Sequence, residues 1–222
     1  MRFYYPMTRI VYPMVMQVIL PDVETRASIE VCGDELNGDR PLNDEEFFDF
    51  CMKNPDLHIE RHSNGEIFIM PPAGMETGYR NNEVSAQLRD WAKVDGCGVA
   101  FDSSAEFILP SGAAFAPDAS WVLKSRLASL TKAEKELFGR LCPDFVIELK
   151  SPSDRLRSLK AKMDQWMANG AQLAWLIVPE KRTVYIYRPG MAAEELSDID
   201  FVAGEGPVTG FRLELADIWE GL

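Results

Sequence analysis

Histidine is nearly absent from this 222-residue chain, which has two, and cysteine is sparse at four. His58 and His62 flank Glu60, but they fall in a stretch that reads as strand and turn. No third ligand is evident, so they read as ordinary surface residues rather than a zinc pair. Cys32, Cys51, Cys97 and Cys142 form no CxxC pair. They show no metal-finger spacing, and their scatter reads as buried or incidental thiols in a reducing compartment. Long hydrophobic runs are missing too. The apolar first twenty residues are interrupted by Pro6, Arg9 and Pro13, with no small-residue cleavage site after them. A signal peptide and a membrane span are therefore not expected, and a soluble cytoplasmic protein is. Positive charge is also short: 23 basic residues stand against 35 acidic ones, a net charge of −12. Such a balance excludes a generic polyanion binder, because the average field repels phosphates.

What is present fits a folded α/β protein. Hydrophobic residues make up 46% and charged residues 26% of the chain, enough for one sizeable domain. The charge is uneven. Residues 120–165 contain ten Lys or Arg and six Asp or Glu, so that stretch is +4 and the remainder −16, leaving room for a local basic surface on an acidic body. Residues 1–40 read as a leader, with a strand expected over Val15 to Leu20, and 41–222 as the domain.

Asn43 with Glu46 three residues on predicts a capped helix start running to about Met52. Leu57 to Glu60 and Glu66 to Met70 flank Ser63-Asn64-Gly65 and predict a hairpin. A helix is expected over Tyr79 to Lys93, and another from Ser153 as N-cap to the stop at Asn169-Gly170. A short solvent-facing helix is expected over Thr131 to Gly139. Strands are expected at Gly98 to Phe101, Glu106 to Leu109, Ala119 to Leu123, Phe145 to Leu149, Leu173 to Val178 and Thr183 to Tyr187. Together they predict one curved, mixed β-sheet flanked by helices.

Two segments carry chemistry: Pro117-Asp118-Ala119-Ser120-Trp121 and Pro143-Asp144-Phe145-Val146-Ile147-Glu148-Leu149-Lys150. Alternation puts Phe145, Ile147 and Leu149 on one face of a strand and Val146, Glu148 and Lys150 on the other. A carboxylate and an ammonium on a core-forming strand need partners or a cleft. If the two strands are neighbours, Asp118 and Glu148 converge on one hard cation such as Mg²⁺ or Mn²⁺. Lys150 beside them can hold a water and offset charge building on a phosphate. Arg155, Arg157, Lys160 and Lys162 are either a phosphate-tracking row or the solvated face of a helix.

Asp118 with Glu148-Leu149-Lys150 has the form of the PD-(D/E)xK nuclease signature. In sequence order, Met70-Pro71-Pro72-Ala73-Gly74, Glu76-Thr77-Gly78-Tyr79-Arg80-Asn81, Phe101-Asp102-Ser103-Ser104 and Pro117-Asp118-Ala119-Ser120-Trp121 come first. Glu148-Leu149-Lys150-Ser151-Pro152-Ser153-Asp154, Lys162-Met163, Asn169-Gly170-Ala171-Gln172-Leu173 and Trp175-Leu176-Ile177 follow. Over residues 42–190 this set resembles the Uma-type family of restriction endonucleases. The resemblance implies a restriction-endonuclease-like core and a Mg²⁺- or Mn²⁺-dependent DNA endonuclease. Asp118 and Glu148 are then the metal carboxylates and Lys150 the catalytic lysine. The Leu149 carbonyl and Glu83, on the preceding helix, are further metal ligands.

Relatives lacking a lysine two residues after the glutamate keep one on the next helix, at the position of Lys162, which makes Lys162 a second phosphate contact here. Glu106 and Phe115 depart from the pattern, standing where a small and a basic residue are usual, and both make the cleft less attractive to nucleic acid. The rival readings are a catalytically silent nuclease-fold binding protein and a metal-dependent hydrolase of another phosphodiester. Apolar, aromatic strands near the C-terminal end suggest a homodimer, by analogy with nucleases that set two sites across a duplex.

Overall fold

The computed structural model of the chain describes residues 41–70 and 72–222; the expected leader and its strand lie outside the described residues. The chain divides into two compact units, Met1–Pro71 and Pro72–Leu222. In the first, α1 (Asp44–Lys53) starts at a reciprocal cap. Asn43 Oδ1 accepts from the Glu45 and Glu46 amides at 3.0 Å, and Glu46 Oε2 accepts from the Asn43 amide at 2.8 Å. This satisfies donors that the helix itself cannot. The helix buries Phe47, Phe50 and Cys51. Strands β1 (His58–Arg61) and β2 (Ile67–Met70) pair antiparallel as expected, with Gly65 at a φ of +88° in the turn. Buried Arg61 is held by Asp44 at 2.6 Å and the Leu42 carbonyl at 2.9 Å.

The second unit begins with α2 (Met75–Asp95), four residues earlier than the periodicity predicts, and continues through β3 (Gly98–Asp102), β4 (Phe107–Ile108), β5 (Ala114–Phe115) and β6 (Ala119–Leu123). After α3 (Lys124–Ala128) and α4 (Lys132–Glu136) come β7 (Phe145–Leu149), α5 (Leu156–Ala168), β8 (Leu173–Val178) and β9 (Thr183–Tyr187). Strands β10 (Glu194–Ser197), β11 (Phe201–Ala203) and β12 (Arg212–Glu214) follow, then α6 (Ala216–Glu220). Six strands form one mixed sheet in the order β10-β9-β8-β7-β6-β3. Only β7 and β8 run parallel, because α5 carries the chain back between them. Outside this sheet, β4 pairs antiparallel with β5, and β11 pairs antiparallel with β12.

The alternation predicted for β7 holds and decides which helix covers which face. Phe145, Ile147 and Leu149 pack with Trp121, Trp175 and the α2 residues Val84, Leu88 and Ala92. Val146, Ala174 and Leu176 pack with the α5 residues Met163 and Trp166 on the opposite face. With both faces covered, β8 can be apolar throughout, and each large side chain so buried contributes about 1.5–3 kcal/mol. Gly98 is required by packing: a Cβ there would meet the Trp121 ring at 2.0 Å.

The start of α5 differs from expectation. Ser153 is not its N-cap; the helix opens at Leu156, and Arg155 at the cap position makes no side-chain capping bond. The polar side chains are used one turn earlier, where Asp154 Oδ2 accepts from the Ser151 amide at 2.8 Å and its hydroxyl at 2.6 Å. Ser153 Oγ lies 3.0 Å from Ser151 Oγ in the same turn. Six elements, β5, α3, β10, β11, β12 and α6, are not expected from the sequence; each is five residues or shorter, too short to leave a period. The apolar strand β9, one of those suggesting a homodimer, is buried along its whole length inside this chain's own sheet.

Candidate active site

Strands β6 and β7 are antiparallel neighbours with Ala119 opposite Ile147 and Ser120 opposite Val146. Continuing that register by one residue sets Asp118 opposite Glu148, and residues opposite each other in an antiparallel pair share a face. Asp118 sits just outside β6, where the Leu149 amide donates to its Oδ2 at 2.7 Å. From α2, Asn81 Nδ2 donates to Asp118 Oδ1 at 2.8 Å, and the Ser85 hydroxyl reaches the Asp118 carbonyl at 3.4 Å. Burial pushes the Asp118 carboxyl above its ordinary range. The Leu149 amide, the Lys162 charge and Asn81 pull it back down, while Asp154 pushes it up.

Glu148 is buried on the α5 face, and its Oε1 accepts from the Trp166 indole N–H at 2.8 Å. The ammonium paired with it belongs to Lys162, also at 2.8 Å and itself mostly buried. Lys162 Nζ stands 3.4 Å from the Ala116 carbonyl and 5.5 Å from the Phe115 ring centre. Lys150 takes another direction. Its backbone N–H continues the parallel ladder to Ile177, which sets its side chain beside the turn after β8. There its ammonium pairs with Glu180 at 2.7 Å and donates to the Ser151 carbonyl at 3.0 Å. The lysine gathered at the two carboxylates is thus the one on α5.

Glu83 is half-buried on α2, two residues past Asn81 and therefore rotated well away from Asp118. Its charge acts on Tyr79, together with that of Asp217. The Leu149 N–H points at Asp118, and in an extended strand a residue's C=O projects to the same edge as its N–H. The Leu149 carbonyl is therefore aimed toward Asp118. Of the basic residues on α5, Arg155 and Arg157 are exposed, Lys160 lies 3.8 Å over the Tyr185 ring, and Lys162 is at Glu148, so the four do not form one row. Phe115 is fully buried with its ring 5.5 Å from that of Trp166, giving the site an apolar wall. Sequence reasoning missed Asn81 and Trp166 as site residues. The available signal was a polar pair at helical spacing, Asn81 and Ser85, beside the core positions Val84 and Leu88.

The donor set suits a hard divalent cation: two carboxylates of opposed strand positions and a neighbouring backbone carbonyl, all oxygen. An orphaned oxygen supports the fit, since Asn81 Oδ1 is buried beside Asp118 with no hydrogen-bond donor. Among the described residues no group of three or more His, Cys, Asp or Glu gathers as metal ligands. Among the described residues, further protein donors are then neutral oxygens.

No curated protein matches the chain in sequence. Among solved structures, the chain resembles one described as a "putative nuclease belonging to DUF820 from Anabaena variabilis ATCC 29413". The TM-score is 0.67 at 22% identity, over 81% of this chain and 98% of that one, a likeness of fold. Residues 44–216 match the family model "Uma2: Putative restriction endonuclease". Because that model spans most of its length, the chain belongs to the Uma2 family, whose class of chemistry is that of a nuclease, the hydrolysis of phosphodiester bonds.

Proposed function

We propose that this protein is a divalent-metal-dependent DNA endonuclease. Asp118 and Glu148, with the Leu149 carbonyl, would hold Mg²⁺ or Mn²⁺. The observation that carries the reading is the register that sets Asp118 opposite Glu148 with a buried lysine between strand and helix. When bound, such a cation polarises a phosphoryl oxygen and lowers the pKa of a coordinated water. Lys162 supports the reading that the catalytic lysine has moved to α5: its ammonium lies where it can orient the attacking water and offset charge on the phosphate. Lys150, paired with Glu180, instead ties the end of β7 to the turn after β8. Trp166 holds Glu148 in orientation and, with Phe115, excludes bulk water from that side. The exposed Arg155 and Arg157 at the start of α5 are offered as backbone phosphate contacts.

The test is calorimetric titration of Mg²⁺ and Mn²⁺ into wild type and Asp118→Ala, followed by a plasmid-nicking assay on the same samples. Metal binding lost in Asp118→Ala, with nicking lost in Asp118→Ala and Lys162→Met, is the expected result. Metal binding without nicking would favour the second reading, a hydrolase of a shorter phosphodiester, which the net charge of −12 supports. Substrate affinity would then lack the steep salt dependence of a duplex ligand. No metal binding would leave the fold as a binding scaffold.

A further inference from the structure

We infer that Asn81 is an oxygen ligand of the cation site, presenting its side-chain carbonyl beside Asp118; this rests on the metal-dependent reading above. The amide's orientation is fixed by chemistry. Only the NH₂ group can donate to the Asp118 carboxylate, and it does so at 2.8 Å, so the carbonyl must be the other arm. That Oδ1 is buried and accepts from no donor. A buried carbonyl left in this way is disfavoured unless something electropositive occupies the space in front of it.

The position is firmly held. The core residues Val84, Leu88 and Ala92 anchor α2 to the sheet. Gln87 also bonds Glu214 twice, donating to its carbonyl at 3.2 Å and accepting from its amide at 2.8 Å. Helical rotation then turns Asn81 and Ser85 to Asp118 and takes Glu83 away. An amide carbonyl also adds a hard oxygen donor beside Asp118 without adding a further negative charge next to its carboxylate. Asn81 would thus take the place on α2 that the family resemblance implies for Glu83.

Mn²⁺ binding, followed by loss of the free-ion paramagnetic resonance signal, tests this in wild type, Asp118→Ala, Asn81→Ala and Asn81→Asp. Wild type should bind, Asp118→Ala should not, and Asn81→Ala should bind on the order of 10–100-fold more weakly. Asn81→Asp, which keeps the oxygen but loses the N–H donor, should bind at least as tightly as wild type. A second variant reads ligation directly. Asn81→Cys with Cd²⁺ should develop a thiolate-to-cadmium charge-transfer band that is absent from wild type and from the Asn81→Cys, Asp118→Ala double variant.

Mn²⁺ affinity unchanged in Asn81→Ala would overturn the inference and leave the metal reading standing. So would equal weakening in Asn81→Ala and Asn81→Asp with no cadmium band, the pattern of a residue that only hydrogen-bonds Asp118. Failure of wild type to bind Mn²⁺, or binding that survives Asp118→Ala, would overturn the metal reading and this inference together.

Discussion

Two of the chain's Pro-Asp steps, at 117–118 and 143–144, open adjacent strands of the six-stranded sheet, and they have opposite fates. Asp144, before β7, is closed on every side. Its Oδ2 accepts from the Leu123 amide at 2.9 Å, its Oδ1 from Arg126 at 2.7 Å, and its carbonyl from the Gln172 and Leu173 amides. Asp118, before β6, also receives a strand amide, from Leu149. Its other neighbours are a carboxylate opposite, a lysine that is paired with that carboxylate, and an amide with an orphaned oxygen. Asp144 ties three strands together at one end of the sheet. Asp118, at the other end, is held in place while burial disfavours its charge. A structural carboxylate is recognised by complete satisfaction, and a candidate functional one by what its surroundings leave unmet.

The sharpest way to break this comparison is to neutralise each corner in turn. Asp118→Asn should lower metal-dependent phosphodiester cleavage by on the order of 10³-fold, since several kcal/mol of charge stabilisation is lost, and should not lower the denaturation midpoint of the metal-free protein, because it removes a charge that burial disfavours. Asp144→Asn should do the reverse: a loss of about 1–2 kcal/mol of stability, discounted for the partial exposure of Arg126, with cleavage per folded molecule retained. Denaturant unfolding and cleavage rates on the same preparations decide it. Equal effects from the two variants would erase the distinction.

The lysines provide the next contrast. Lys162→Met should reduce cleavage by about 10²-fold, while Lys150→Met, which frees Glu180 and the Ser151 carbonyl, should cost only a few-fold. The reverse ranking would return the catalytic role to Lys150. Smaller still is a pH effect. Burial holds the Asp118 carboxyl above the pKa of a free aspartate, so the metal-free protein binds this proton more tightly than the unfolded chain does. Its contribution is therefore fully present below that value and is lost as pH rises through the raised one. Metal affinity should rise over the same interval. Stability curves of wild type and Asp118→Asn should converge in acid and separate above it. The smallest effect is expected from Trp166→Phe, which keeps the packing on Phe115 but removes the N–H to Glu148, for about 1 kcal/mol of stability.

Much of this was legible because it is local. The Asn43 and Glu46 cap, the Gly65 turn and the alternation along Phe145 to Leu149 depend on residues within a few positions of one another. Their physics needs no partner from elsewhere. The ordered motifs around Asp118 and Glu148 likewise identified the family that the match over residues 44–216 shows. The cap of α5 misled because Ser151, Ser153 and Asp154 can satisfy one another in a turn as readily as they can cap a helix. The sequence by itself determined that this is a mixed α/β chain with a nuclease motif and two carboxylates poised to meet. Only the tertiary structure decided which lysine meets them and which α2 residue reaches them. Those choices depend on strand register and helix rotation between segments tens of residues apart, where one position of slip turns a side chain to the opposite face.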